Sequence, residues 1–484
     1  MATILGQEPL AGEENRLLYG FLLGLCALLL NAPTLLTIFE VKSAEKIVLW
    51  YQHTHTVARP VFVGFQRRFL SVFVLFTFAE GLQGVYGEAL YENLHKFEAR
   101  EIGFLLVTVQ ASSLIVGTFL GAAADSIGRK KACIIAGLFQ FAACCLDGLC
   151  NDFYGVWLAN VCRGIGISVF PSAFEAWLTS EHERLGFKQD WLSRTFWVMA
   201  FGMGVAAVTA GVWANFLVYR LGFGLASPFL SAAAVSFLWI VLLCTGWTEN
   251  ASSCSSNVSI STDIPQAYGV WQAFVNAGHA ITDKRVLLLG WTQACFDLSL
   301  AIFWLLWTPT MVSDGREIHS GVLYSYFMGS LMLGSVIASI ILCGPFPVRP
   351  EIFLPWVFLA ASLSMVVPGY DYQEIQVLVA AFCVFHICVG IAWPSLARLR
   401  NIYILSDRRA AVLSLYRVPG TVGVVLILIK GALMKQFYNS TIYYICAFGL
   451  LSGAGTLHLL NIRRPKRRDR LVTEDTLPEL RRHH

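Results

Sequence analysis

Long apolar stretches alternate with short polar segments along this 484-residue chain. Each apolar stretch has about the length of a helix that crosses the hydrocarbon core of a bilayer, roughly 17–25 residues. The first stretch, 17–39, has no basic segment before it, so we expect an uncleaved helix rather than a signal peptide. Twelve further helices are predicted at 69–90, 103–124, 131–150, 154–178, 190–216, 227–247, 285–311, 320–343, 352–368, 374–397, 409–432 and 441–461.

The polar segments divide these twelve helices into two sets of six behind one extra leading helix. The widest gap between helices is rich in serine, which is typical of a linker. The pattern therefore predicts an all-α polytopic membrane protein. Its predicted parts are an extra N-terminal transmembrane helix with a basic connector (1–68), an N-terminal six-helix half (69–247), a cytoplasmic linker (248–284), a C-terminal six-helix half (285–462) and a basic cytoplasmic tail (463–484).

The composition agrees with a membrane protein. Hydrophobic residues make up 56% of the chain and charged residues 14%, whereas a soluble domain carries about 25% charged residues. The 13 cysteines show no metal-ligand or redox spacing, and no nucleotide-binding motif or nucleophile–base pair occurs. We expect neither an enzyme nor an ATP-driven pump, with no cofactor, metal or nucleic-acid partner. The expected surroundings are the lipid bilayer, and the expected assembly is a monomer.

Basic residues fall in alternate loops, which sets the expected orientation. If the loop 124–131 is cytoplasmic, the arginine-rich tail lies on the same side, and the opposite loops are poor in lysine and arginine. The positive-inside rule then places the N-terminus outside and the C-terminus in the cytoplasm, with the plasma membrane as the default location. The charges assigned to these cytoplasmic loops include Arg398, Arg400, Arg408 and Arg409.

The predicted helix 154–178 carries an arginine, a glutamate and a proline. A charged side chain at bilayer depth costs about 2.5–3.5 kcal/mol on insertion scales, so such residues usually face the protein interior and serve function. Arg163 and Glu175 lie roughly 18 Å apart along a helix, so each needs a partner on another helix or a solute. Pro171 removes a backbone donor, which is tolerated where the freed carbonyl meets protein or a cavity.

This proline motif recurs in the second half of the chain. The tripeptide FPS at 170–172 reappears as WPS at 393–395, an offset of 223 residues, and the same offset relates Arg194 to Arg417. A duplicated bundle is the architecture of many secondary transporters, whose substrate site lies between the halves near the bilayer midplane.

The loop 121–131 (GAAADSIGRKK) resembles the signature loop G-x-x-x-D-x-x-G-R-K of the major facilitator superfamily. The resemblance implies a 6+6 helix bundle and a gating motif. Its glycines allow close packing and a sharp turn, and its acid can hold the N-terminal end of a neighbouring helix or a cation. The alternative is plain anchoring by basic residues, and the corresponding loop of the second half, 344–347, lacks the motif. The gating residues are Gly121, Asp125, Gly128, Arg129 and Lys130.

Four further segments resemble the eukaryotic molybdate-anion transporter family. They are SAFEAW (172–177), DKRVLLLG (283–290), LWTP (306–309) and RVP (417–419). The resemblance implies import of molybdate, a tetrahedral divalent oxyanion, by alternating access. Two alternatives stay open: a transporter of another small inorganic or organic anion, and a membrane receptor that binds a solute without carrying it across.

Arginine is the side chain best suited to an oxyanion, because its planar fork donates two parallel hydrogen bonds and stays charged. Arg163 is the first candidate for substrate contact, since it lies near mid-membrane and matches an arginine that the superfamily often places in its fourth helix. A structural ion pair is the alternative for Arg163. Arg194 and Arg417 are candidates for a second cationic pair along the pathway, and their alternative is to close the cytoplasmic gate by pairing with Glu175.

Two acids lie mid-helix in the first and seventh helices of the bundle, which in this superfamily line the cavity with the fourth and tenth. Gln83 lies three positions after Glu80, and Gln293 lies four positions before Asp297. At these spacings each acid shares a helix face with an amide. We hypothesise that Glu80 or Asp297 takes up a proton that offsets the anion's charge during import. The alternative is a permanently paired carboxylate that neutralises Arg163, Arg194 or Arg417.

The tenth predicted helix of the bundle adds two candidates for the cavity. His386 shares a face with Trp393, and a lone histidine at such a position is more often a hydrogen-bonded cavity residue than a ligand. Trp393 and Phe170 are expected to form apolar walls beside the two prolines.

Overall fold

The computed structural model describes residues 60–250, 266–312, 320–344, 347–370, 374–434 and 439–463. Within these ranges the chain forms helices joined by short turns. The predicted leading helix at 17–39, most of the basic connector and the basic tail lie outside the described residues.

Six long helices build the N-terminal half. Short π-helical turns, Leu90–Leu94 and Phe216–Arg220, follow the first and the fifth of them. The helices are α1 (Pro60–Ala89), α2 (Ala99–Ile127), α3 (Arg129–Leu149), α4 (Phe153–Arg184), α5 (Gln189–Asn215) and α6 (Ser227–Gly246).

Six more long helices build the C-terminal half, and a shorter helix precedes them. This shorter helix, α7 (Gln266–Ile281), falls in the predicted linker and packs against α2 and the later helix α12; the rings of Phe119 and Phe274 meet at 5.3 Å between centroids. The remaining helices are α8 (Lys284–Val312), α9 (Ser320–Cys343), α10 (Pro350–Val366), α11 (Ile375–Tyr403), α12 (Arg409–Met434) and α13 (Asn439–Ile462).

The twelve predicted spans that follow the leading helix are confirmed. In the described part of the chain, twelve helices are long and apolar enough to cross a membrane, and they are α1–α6 and α8–α13. Several helices extend beyond the predicted apolar span, since α4 continues to Arg184 and α11 to Tyr403.

The packing within the two halves is the same. In the N-terminal half, α1 packs on α5 and α6, α3 packs on α4 and α6, and α2 packs on α4; in the C-terminal half, α8 packs on α12 and α13, α10 packs on α11 and α13, and α9 packs on α11. Pro171 and Pro394 lie inside the corresponding helices α4 and α11. The duplicated 6+6 bundle inferred from the proline motif is therefore confirmed.

The two halves meet chiefly through α2 against α12 and α5 against α9. Glycines permit the close approach. A Cβ atom at Gly121 would collide with Ser414 of α12, and one at Gly204 would collide with Met332 of α9. Gly121 of the gating motif is thus placed directly at the interface between the halves.

Stacked aromatic side chains fill the core of the N-terminal half. Phe170 is 1% exposed and its ring lies 3.6 Å from that of Phe76 between centroids, so it is a core residue and not the cavity wall expected from the sequence. Trp393 does lie at the interface, where its ring is 6.2 Å from that of Phe73 of α1.

Candidate functional site

Arg163 lies in a polar network that belongs entirely to the N-terminal half. Its guanidinium forms an ion pair with Asp147 of α3. Nη1 donates to Tyr91 Oη at 3.0 Å and to Asn160 Oδ1 at 3.4 Å, and Nε donates to Gln83 Oε1 at 3.3 Å. Each nitrogen of Arg163 has an acceptor, and a carboxylate that is 1% exposed balances its charge.

Glu80 lies near this network but is held differently. Its carboxylate accepts a hydrogen bond from Gln140 Nε2 of α3, while Gln83 donates to the backbone oxygen of Ala79 at 3.1 Å. Glu80 and Gln83 therefore share a face of α1 without bonding to each other. Arg163 is close enough to act electrostatically on Glu80, yet Glu80 forms no ion pair within the described residues.

A second network crosses the interface and links α4, α11 and α8. Arg400 Nε and Nη2 bind Glu175 Oε1 and Oε2 at 2.9 and 2.5 Å. Arg400 Nη1 donates to Gln293 Oε1 at 2.6 Å, and Gln293 Nε2 donates to Asp297 Oδ1 at 2.8 Å. Glu175 is thus paired with Arg400, and the acid and amide that share a face of α8, Asp297 and Gln293, are in direct contact.

Arg417 of α12 reaches into α4 of the opposite half. Its Nη1 donates to the backbone oxygens of Ile167 at 3.0 Å and Ser168 at 3.2 Å. The Ile167 oxygen lacks its helical donor because the residue four positions later is Pro171, which has no N–H. Asp297 is near enough to interact electrostatically with Arg417, but Arg417 forms no ion pair in the described part of the chain.

A small cavity surrounds Arg417 between the two halves. The empty volume of the cavity, including the space at its open mouth, is about 230 Å³. The walls come from α2 and α4 on one side and from α12 on the other. Among the described residues, no acidic side chain lines the cavity. Five hydroxyl groups line it, those of Ser113, Thr118, Ser168, Ser414 and Thr421.

Two residues of the signature loop 121–131 contact the opposite half of the bundle. Asp125 Oδ2 accepts a hydrogen bond from the backbone N–H of Ala411, in the first turn of α12, at 2.9 Å. Asp125 Oδ1 accepts from Arg129 Nε and Nη2 at 3.0 and 2.8 Å. Arg129 is 1% exposed and also donates to the Ser180 hydroxyl and to the backbone oxygen of Ser406. One carboxylate and one guanidinium therefore tie α2 and α3 to the start of α12 in the other half.

The turn between α2 and α3 explains the second glycine and the lysine of the motif. Gly128 has a φ of 127°, which side chains with a Cβ rarely adopt. Glu249 accepts from the backbone N–H groups of Lys130 at 3.1 Å and Lys131 at 3.3 Å, where the start of α3 favours negative charge. Lys130 Nζ donates to the backbone oxygen of Trp247 at 2.7 Å, so it ties α3 to the end of α6.

Two of the remaining candidates lie elsewhere in the bundle and do not line the Arg417 cavity. His386 is fully buried in the C-terminal half, where Nδ1 lies 2.8 Å from the backbone oxygen of Phe382 and its ring lies 4.4 Å from that of Phe303. It is hydrogen-bonded as expected, but it is an aromatic-core residue rather than a cavity residue. Arg194 lies within electrostatic reach of Cys343, at the end of α9, and is not among the described residues that line the Arg417 cavity.

Known proteins match this chain over most of its length. A family model described as sugar transporters with twelve transmembrane segments matches residues 42–386. The molybdate-anion transporter of Takifugu rubripes is 31% identical over 384 residues, which cover 74% of this chain and 78% of that protein. The chain belongs to the molybdate-anion transporter family of the major facilitator superfamily. The molybdate-anion transporter of Danio rerio is 29% identical over 396 residues, covering 78% of this chain and 81% of that protein.

Solved structures of the major facilitator superfamily share the fold of this family member. The human organic anion transporter MFSD10 (TETRAN) superposes with a TM-score of 0.62 at 12% identity, covering 81% of this chain and 99% of that one. A mutant of the nucleoside transporter NupG gives a TM-score of 0.55 at 12% identity, covering 82% of this chain and 99% of that one. The family comprises transporters, so this member is a transporter and not an enzyme.

Several polar residues that hold these networks together were not among the site residues predicted from the sequence. Asp147 is an acid inside a predicted apolar span, so the criterion that selects Glu80 would also have selected it. The sequence pattern assigns Arg400 and Arg409 to loops, but both are buried. Helix α11 continues past its predicted end to include Arg400, and Arg409 is the first residue of α12. The other residues of these networks that were not predicted as site residues are Tyr91, Gln140, Asn160 and Glu249.

Proposed function

We propose that this protein is a secondary transporter that carries molybdate, or a closely similar tetrahedral oxyanion, into the cytoplasm by alternating access. Relatives named molybdate-anion transporters, which match about three quarters of the chain, support this substrate class. The structural observation that carries the proposal is Arg417, a cation at the interface between the halves that has no carboxylate partner among the described residues. Arg417 is half-buried, and a cation that is partly withdrawn from water without a carboxylate partner favours a bound anion.

The side-chain contacts between the halves support alternating access. The contacts between Asp125 and Ala411 and between Arg129 and Ser406 lie at the end of α2 and the start of α12, and Arg400 lies close to the end of α11. We assign this end of the bundle to the cytoplasm, because the basic loops lie there. The bundle would then be closed toward the cytoplasm, and import requires these contacts to separate when the site opens inward.

We further propose that protons accompany the anion. Glu80 forms no ion pair in the described part of the chain, and Asp297 lies within electrostatic reach of Arg417. A divalent anion placed near a carboxylate inside the bundle raises the electrostatic energy of the site in a medium of low dielectric constant. Proton binding to Glu80 or Asp297 removes that repulsion.

The proposed setting is the plasma membrane, with a monomer whose N-terminus faces outward and whose C-terminus lies in the cytoplasm. The asymmetry of lysine and arginine between alternate loops supports this orientation. Tags at the two ends, probed with antibodies before and after permeabilisation of the cells, test it directly.

The function is tested by uptake of radiolabelled molybdate into proteoliposomes that contain the purified full-length protein, with sulfate as competitor. We expect saturable uptake and accelerated exchange when unlabelled molybdate is inside the vesicles. A receptor would bind molybdate without this exchange. Exchange that occurs with sulfate or an organic acid but not with molybdate would assign the protein to a different anion.

A further inference from the structure

We propose that the oxyanion binds in the Arg417 cavity, between the guanidinium and the hydroxyl groups of Ser113, Ser168 and Thr421, and that Arg163 is not its ligand. This inference rests on the proposed function and names the site at which that function acts. It differs from the expectation based on the fourth helix, which favours Arg163.

The two arginines differ in how many of their donors are already used. Arg163 uses Nε, Nη1 and Nη2 within its own half, and Asp147 neutralises it. An oxyanion that approached Arg163 would have to displace a buried carboxylate. Breaking a buried ion pair is strongly unfavourable, so Arg163 is better explained as a structural residue.

Arg417 keeps part of its hydrogen-bonding capacity available. Its Nη1 donates to the oxygens of Ile167 and Ser168, and this contact fixes the plane of the guanidinium. Nε and Nη2 have no acceptor among the described residues. These two nitrogens form one edge of the planar fork, which is the edge that binds two oxygens of a carboxylate, phosphate or similar oxyanion side by side.

The other polar groups of the cavity complement such a ligand. Ser113 has no hydrogen-bond partner within the described chain, and it lines the cavity with Arg417. Ser168 donates to the oxygen of Ile165 at 2.8 Å, and Thr421 donates to the oxygen of Arg417 at 3.0 Å. Hydroxyl hydrogens rotate freely about their C–O bonds, so all three groups can redirect to a bound oxygen. A ligand with four acceptor oxygens and no donor fits this arrangement.

The site also requires both halves of the bundle. Ser113 and Ser168 belong to α2 and α4, whereas Arg417 and Thr421 belong to α12. The anion would therefore bridge the two halves, and its affinity would depend on how closely they approach. Gly117 lets α2 and α4 pack closely on the N-terminal side of the cavity, since a Cβ there would collide with Ser168.

The test measures binding of radiolabelled molybdate to the full-length protein in lipid nanodiscs. Arg417→Lys keeps the positive charge but loses the planar fork of donors, and Arg417→Gln loses both. Thr421→Val removes one hydroxyl group from the cavity. We expect the Kd to rise by about tenfold to hundredfold for the arginine variants, since a hydrogen bond to a charged group contributes about 1.5–3 kcal/mol. Thr209→Val is the matched control, because Thr209 also donates to the backbone of its own helix but is exposed on α5 and lies outside the cavity.

A second measurement does not depend on the folding of the arginine variants. Ser113→Cys, in an otherwise unchanged chain, is modified with a small thiol reagent, and the modified peptide is quantified by mass so that the 13 native cysteines do not interfere. We expect molybdate to protect this cysteine from modification, with half-maximal protection at a molybdate concentration equal to its Kd. A wild-type protein that neither binds nor exchanges molybdate would overturn the proposed function and the site together. Undiminished binding by Arg417→Gln, or full modification of Ser113→Cys under saturating molybdate, would overturn the site alone.

Discussion

Glu175 and Arg400 form a two-point ion pair between the halves of the transporter, with nitrogen–oxygen distances of 2.9 and 2.5 Å. Only 12% of the Glu175 side chain and 5% of the Arg400 side chain are exposed. A buried pair is not a large net source of stability, but loss of one partner leaves an unpaired charge that costs about 3–5 kcal/mol. The pair therefore makes separation of the halves at this end sensitive to a single charge.

Arg400→Gln should shift the transporter toward the state that is open to the cytoplasm. The carboxylate of Glu175 then has no charged partner, so its contact with water stabilises the open state. Ser172 reports this opening. It is 3% exposed, and its hydroxyl lies 3.3 Å from that of Ser414 across the interface. We expect Ser172→Cys to react much faster with an impermeant maleimide on the cytoplasmic face when Arg400→Gln is also present.

The exchange of the two charges, Glu175→Arg with Arg400→Glu, should restore part of the protection of Ser172→Cys against the maleimide. Arg398→Gln is the matched control on the same helix, since its contact with the exposed Asp190 is 3.7 Å long and such surface pairs contribute about 0–1 kcal/mol. If the Arg400→Gln protein protects Ser172→Cys as well as the unmodified background does, the pair does not hold this end closed.

Asp125→Asn should destabilise the protein and slow transport. Asparagine still offers an oxygen to the Ala411 N–H, but it no longer balances the charge of Arg129, which is 1% exposed. The unpaired guanidinium should lower the free energy of unfolding by about 3–5 kcal/mol. Thermal unfolding of the purified protein and the initial rate of molybdate uptake measure the two effects.

Asp152→Asn serves as the control for Asp125→Asn. Asp152 caps the start of α4 by accepting from Gly155 N at 2.9 Å, and asparagine is an equally good helix cap. We expect this variant to unfold and transport like the wild type. Normal stability of Asp125→Asn would mean that water or another group balances Arg129 when the carboxylate is absent.

Asp147 and Arg163 should behave as a structural pair in a double-mutant cycle. Asp147→Asn and Arg163→Gln each leave one buried charge without its partner, whereas the double variant leaves none. We therefore expect the double variant to unfold at a higher temperature than either single variant, with a favourable coupling energy of about 3 kcal/mol. Additive destabilisation would show that the two charges act independently.

Hydrophobicity was sufficient to locate the membrane helices but not their ends. A bilayer requires about 20 apolar residues per helix, and this requirement is visible in the sequence at each of the twelve spans. The ends are set by polar contacts that hydropathy does not report. The helix α11 continues beyond the apolar residues because Arg400 is paired inside the protein and not solvated in a loop.

The candidate site, like the helices, could be predicted only in part from the sequence. Pro171 and Arg417 are both conspicuous in the sequence, one as a helix breaker and the other as an arginine at a repeated position. Their relationship is not visible there, since Arg417 and the freed oxygen of Ile167 are 250 residues apart. Only the packing of α12 against α4 brings the arginine to the carbonyl that the proline leaves without a donor.

The pH dependence of uptake should identify the acid that takes up the proton. If a proton accompanies the anion, uptake by the wild type rises as the external pH is lowered, because protonation removes negative charge that repels the substrate. Glu80→Gln and Asp297→Asn mimic the protonated acids. We expect the variant at the coupling position to exchange molybdate across the membrane but to lose both the pH dependence and accumulation driven by a proton gradient.

Glu98→Gln is the control for these two variants, since Glu98 is an exposed acid at the start of α2 and should keep the wild-type profile. The two candidates make different contacts. Gln140 holds Glu80 inside the N-terminal half, whereas Gln293 links Asp297 to Arg400 and so to the interface. Protonation of Asp297 would therefore weaken the polar chain that ends at Glu175, which couples proton uptake to opening. If the Glu80→Gln/Asp297→Asn double variant keeps the wild-type pH profile, proton coupling is wrong and the transport function stands without it.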